Sequence, residues 1–77
     1  MRTFMDRKKV CKELIDLELT QKEFANQIGA TYIHVNQLLN GNRQASIKLA
    51  EKIAHVLGGE LEDYFTLYVG DRQVAFV

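Results

Sequence analysis

The sequence predicts a mainly α domain of five short helices with a C-terminal β-hairpin or strand. Three observations carry this reading. Apolar residues recur at helical spacing through most of the chain, and each run opens on a residue suited to capping. Glycine stands where several of these runs stop. After Phe65 the period changes to β-branched and aromatic stretches about a two-residue turn. Length bounds the rest, since 77 residues form one small domain with one core and no room for a two-layer enzyme cleft. At 47% hydrophobic and 26% charged, the composition is that of a folded chain.

Asp6 is a good N-cap, so the first helix is expected from Arg7 to Asp16 or Leu17, with Val10, Leu14 and Leu17 as one buried stripe. Thr20-Gln21-Lys22-Glu23 is a capping box, which opens a second helix over Gln21–Ile28 with Phe24, Ala25 and Ile28 inward. Gly29 closes that helix in a left-handed conformation. Thr31 caps a third helix, Tyr32–Leu39, whose buried pair is Val35 and Leu38. Asn40-Gly41 ends it, and Asn42-Arg43-Gln44-Ala45 reads as a polar loop. Ser46 caps a fourth helix through Leu57, with Ile47, Ala50, Ile53, Ala54 and Leu57 at helical spacing. Gly58-Gly59 breaks it. The fifth helix is expected from Glu60 to about Phe65, its acids in the first turn where the helix dipole favours them.

Residues 66–77 read as the hairpin, Thr66–Val69 and Arg72–Val77 about Gly70-Asp71. A lone hairpin is marginal in water, so it needs a partner: Arg2-Thr3-Phe4-Met5, the helices, or the tail of a second subunit. Leu67, Val69, Val74 and Phe76 alternate onto one face, with Tyr68, Ala75 and Val77 on the other. The first four are the candidate dimerisation residues, with packing inside one subunit as the alternative.

Net charge is zero but unevenly spread. Residues 1–48 hold eight basic and five acidic side chains, for +3, and residues 49–77 hold two and five, for −3. A basic front half is compatible with one polyanion-facing side. Lys8, Lys9 and Lys12 fit either a solvated face or a weak phosphate-facing patch.

Several function classes are set aside. The single cysteine, Cys11, excludes an internal disulfide framework and is read as half-buried packing. His34 and His55 have no second ligand at suitable spacing, so no metal is expected. No nucleophile, base and orienter stand together and no glycine loop cradles a phosphate, so neither catalysis nor a cofactor is expected. No apolar run spans a membrane and no signal-peptide core opens the chain, so a cytoplasmic protein is expected.

Two short helices joined by a tight glycine-containing turn form the DNA-binding supersecondary unit. The frame here is Gln21…Phe24-Ala25…Ile28-Gly29-Ala30…Val35…Leu38, in which Ala25 must be small because the third helix crosses close over it. Residues 7–65 resemble the Cro/CI-type (XRE) helix-turn-helix family, the lambda-repressor-like DNA-binding domain. The resemblance rests on LTQKEFANQIGATYIHVNQLLNG followed by SIKLAEKIAHVLGGELEDYF. It implies a DNA-binding domain over residues 1–65, with 66–77 as an extension.

The resemblance also implies roles. Thr31, Tyr32, Ile33, Asn36 and Gln37 are the base-contacting candidates in the major groove, Gln37 foremost because its amide can pair bidentately with adenine. Gln21, Asn40 and Arg43 are the phosphate-contacting candidates. The implied function is a sequence-specific regulator of transcription, a repressor of prokaryotic or phage type. It would act as a homodimer on a pseudo-palindromic double-stranded operator. The alternative is a protein-interaction module on the same fold, an antitoxin or adaptor, given the uncharged third helix and zero net charge. Relatives often carry an arginine at the Leu14 position and a glutamate at the Leu39 position. Contact between the two leucines is expected in place of that ion pair. Ala45 stands where proline is frequent, which implies a less rigid loop.

Overall fold

Side-chain caps set the start of each long helix. In the computed structural model, which describes residues 2–70 and 72–74, a strand β1 (Arg2–Met5) leads into α1 (Arg7–Asp16). Then follow α2 (Gln21–Ile28), α3 (Tyr32–Leu39), α4 (Ile47–Val56) and α5 (Leu61–Tyr64). Strands β2 (Phe65–Val69) and β3 (Arg72–Val74) complete the chain order. The Asp6 carboxylate accepts from the Lys9 N–H, and the Thr31 and Ser46 hydroxyls accept from the His34 and Leu49 N–H groups. The capping box closes both ways: Glu23 N–H donates to Thr20 Oγ1 at 3.1 Å and Thr20 N–H to Glu23 Oε1 at 3.0 Å. Such caps contribute typically about 1 kcal/mol each.

One apolar cluster holds the helices together. Phe24, Ile28, Ile53, Val10 and Val35 are its most deeply buried large side chains. Leu14 belongs to the cluster and Leu39 packs against it, so both leucines serve the apolar core where relatives place an ion pair.

The α1–α2 turn differs from expectation. Leu17 is 45% exposed and does not extend the Val10–Leu14 stripe. After α1 the chain turns through Glu18 at φ 56°. Glu18 N–H then bonds the Ile15 carbonyl and Leu19 N–H the Leu14 carbonyl. This is a Schellman closure with a left-handed residue after the cap. It swings Leu17 outward and packs Leu19 against the core in its place. Cys11 also lies on the open side of α1 and is exposed, not half-buried.

The fifth helix stops at Tyr64, one residue short of the expected end, because Phe65 is drawn into a sheet. Its backbone is extended, φ −134° and ψ 148°, and it pairs with Met5. β1, β2 and β3 form an antiparallel sheet with β2 in the middle. The N-terminal segment is therefore the hairpin's partner. Along β2, Phe65 and Leu67 are buried, Thr66 and Tyr68 half-buried, and Val69 exposed. Phe4 and Tyr68 meet edge to face at 5.2 Å between ring centroids.

Opposite Leu67 stands Thr3, a buried polar residue in this core. Its hydroxyl donates to the Ala45 carbonyl at 2.6 Å. The segment expected as a wholly polar loop thus ends on a buried alanine held by the sheet.

Candidate nucleic-acid interface

Helices α2 and α3 are joined by Gly29-Ala30-Thr31. Gly29 sits at φ 71°, and Ala30 N–H returns to the Ala25 carbonyl at 2.9 Å. Ala25 is buried and shares a shallow depression with Ala30 and Tyr32. A small side chain there lets α3 lie close against α2, as expected for this frame.

Val35 and Leu38 turn one side of α3 into the core, which fixes what the other side presents. Thr31 is exposed, Tyr32 is 45% and Ile33 69% exposed, and Asn36 and Gln37 are half-buried. The five base-contacting candidates therefore lie together on or beside the open face of one helix. Thr31 has a second task, since its hydroxyl caps α3.

The polar side chains are linked to one another. Asn40 Nδ2 donates to Asn36 Oδ1 at 2.8 Å, and Asn36 Nδ2 reaches Gln21 Oε1 at 3.4 Å. Arg43 Nη1 reaches Gln37 Oε1, also at 3.4 Å. The structure thus gathers Gln21, Asn36 and Asn40 into one chain and Gln37 and Arg43 into a pair. Bonds near 3.4 Å are long for N–H···O, so these side chains can exchange partners at little cost.

Two features escaped the residue-by-residue reading. Lys22 Nζ lies 5.8 Å from the centroid of the Tyr32 ring, a cation–π contact that orients the tyrosine. No local sequence signal marks it, because it spans two helices. The second was legible but overlooked: no carboxylate occurs between Glu23 and Glu51. All of α3 and both flanking turns are free of negative charge, while Arg43 and Lys48 remain. The nearest acid is engaged, for the Thr20 N–H, and then its side chain, hold the Glu23 carboxyl below its ordinary value of 4.5.

The dimerisation candidates are divided. Leu67 is buried with Phe65 in its own subunit, while Val69 is 50% exposed at the end of β2. Val74 lies in β3 opposite Leu67, and Phe76 falls outside the described residues. Among the described residues no cluster of three or more His, Cys, Asp or Glu is placed to hold a metal ion. Among the described residues no helix is long and apolar enough to cross a membrane.

Comparison with known proteins agrees with this geometry. A helix-turn-helix family model matches residues 12–64. Among solved structures the chain is similar to the clp gene regulator ClgR from Corynebacterium glutamicum, at 21% identity and a TM-score of 0.68. The match covers 74% of this chain and 61% of that one. No curated protein matches. With Gln21 to Leu38 folded as two crossed helices inside the matched span, the chain belongs to the helix-turn-helix family, in its Cro/CI (XRE) form.

Proposed function

We propose that the chain is a sequence-specific double-stranded DNA-binding repressor of prokaryotic or phage type. It places α3 in the major groove and acts as a homodimer on a pseudo-palindromic operator. One observation carries the reading: the open face of α3 presents Thr31, Tyr32, Ile33, Asn36 and Gln37 in a stretch free of carboxylates. Amides read base edges through paired donor and acceptor, and Ile33 offers apolar contact to a thymine methyl. Gln21, Asn40 and Arg43 surround the helix with phosphate-binding groups. That the ClgR chain is itself a regulator of clp genes supports regulation as the outcome.

Selection of duplexes from a random-sequence library with the purified protein tests this directly. A defined site should be enriched, and its binding should weaken steeply with salt. Gln37→Ala should then lose discrimination at one base pair by about 1–3 kcal/mol, roughly five- to 150-fold. No enrichment would favour the interaction-module reading, which the exposed Ile33 also suits.

The homodimer rests on the sheet. Val69 is exposed beside β3, and a dimer formed there has to set its two α3 helices about 10–10.5 bp apart to bind paired half-sites. Sedimentation should give twice the 8.8 kDa chain mass, and Val69→Asp should reduce it to the single chain. An unchanged mass would exclude this end of the sheet as the contact.

A further inference from the structure

We infer that Arg7 and Arg43 form a clamp for one DNA backbone phosphate beside the C-terminal end of α3. The inference rests on the DNA-binding reading and assigns Arg7 to that interface. Arg7 belongs to the first turn of α1, far from α3 in sequence. Its guanidinium nevertheless lies across the turn after α3. A Cβ at Gly41 would stand 3.0 Å from Arg7 Nη1 and 3.3 Å from Cζ. Glycine suits the turn because its φ is 78°, and its missing side chain lets the guanidinium lie close over the backbone.

Arg43 lies two residues beyond Gly41 and lines the same cavity as Arg7. That cavity has a volume of about 270 Å³, and Thr3, Phe4 and Gln44 also face it. Among the described residues no carboxylate lines it. Asp6, the acid next to Arg7, is turned to cap the Lys9 N–H. Among the described residues neither arginine has an ion-pair partner, and Arg43 reaches only the neutral Gln37 amide. Two exposed arginines thus line one recess, with no carboxylate among the described residues around it.

That arrangement repels itself and is relieved by an anion bridging the pair. Guanidinium forks bind phosphate oxygens in parallel N–H···O pairs, which suits a tetrahedral anion held from two sides. The recess lies beside the C-terminal end of α3, and with α3 in the major groove that end would face the sugar–phosphate backbone flanking the groove. A phosphate is the anion that DNA supplies at that place.

The test uses the intact chain, a duplex selected as above, and a scrambled duplex of equal length. Affinity is measured by fluorescence anisotropy between about 50 and 200 mM KCl. Arg7→Ala should bind both duplexes more weakly by a similar factor, roughly three- to tenfold at low salt, with the log–log salt slope shallower by about 0.9. Its melting temperature should match the wild type, and Arg7→Lys should keep most of the slope. Because both arginines share one phosphate, Arg7→Ala/Arg43→Ala should lose less than the sum of the single losses.

Wild-type binding with an unchanged slope in Arg7→Ala would overturn the clamp and leave the DNA reading standing. A slope that falls only together with the melting temperature, and equally in Arg7→Lys, would make Arg7 a support for the turn. Additive losses would overturn the shared phosphate. Failure of the wild type to bind either duplex would overturn both readings.

Discussion

Phe24→Ala should leave the domain on the edge of unfolding. Phe24 is 1% exposed in the middle of α2, and the rest of the apolar cluster is arranged about it. Removing a buried phenyl ring costs about 3–5 kcal/mol through lost transfer energy and the cavity left behind. A domain of this size holds only about 4–12 kcal/mol in all, at roughly 0.05–0.15 kcal/mol per residue. The substitution therefore takes a large share of the whole. Urea unfolding followed by circular dichroism should show the midpoint shifted strongly down with little change in slope. A loss below about 1 kcal/mol would mean that the core collapses around the gap far more readily than cores of this density do.

Ala25→Leu is the second large effect, and it acts by overfilling. Ala25 is 3% exposed, next in sequence to Phe24 and beside Ala30 and Tyr32. Three extra carbon atoms at the α2–α3 joint crowd Ala30 and Tyr32, so α3 moves or side chains leave their rotamers. The stability cost is about 1–3 kcal/mol. The cost to DNA binding should be greater, because Tyr32, Asn36 and Gln37, the residues proposed to meet base edges, would be displaced as a body. Chemical denaturation and duplex affinity measured on the same sample separate the two effects. A variant that stays folded yet loses most of its sequence discrimination is the expected result. Full binding in a folded Ala25→Leu protein would show that α3 does not need its close approach to α2.

Much of this architecture could be read from the chain because its signals are local. Asp6, Thr20, Thr31 and Ser46 each cap the helix that follows, and a hydroxyl or carboxylate three residues from the N–H it serves is visible in a row of letters. The open face of α3 was legible for the same reason. Once Val35 and Leu38 are inside, helical geometry places the others outside.

The errors arose where a distant partner decided the outcome. Leu17 obeys the helical period, but the left-handed Glu18 ends α1 and hands the buried place to Leu19. Phe65 continues an apparent helix until Met5, near the other end of the chain, claims its backbone. Ala45 lies in the loop as read, but it is buried there, its carbonyl held by Thr3 of the distant β1. The Arg7 contact with the Gly41 turn has no sequence signature at all, since it depends on how β1 delivers α1 to the end of α3.

The bond between Thr3 and the Ala45 carbonyl also bears on the order of assembly. β1 pairs with β2, Arg2 opposite Tyr68, so every helix lies inside the loop that this pairing closes. Closing a loop of that length carries an entropy cost that helix formation does not, and contacts so far apart in sequence form slowly. During synthesis the helices emerge and can pack before Phe65–Val69 has left the ribosome. Until that strand arrives, β1 has no ladder to join and Thr3 has no fixed place from which to hold the turn behind α3. The turn that carries Arg43 is thus secured only once β2 has come to hold β1, and a nascent chain with all its helices formed does not yet fix that turn.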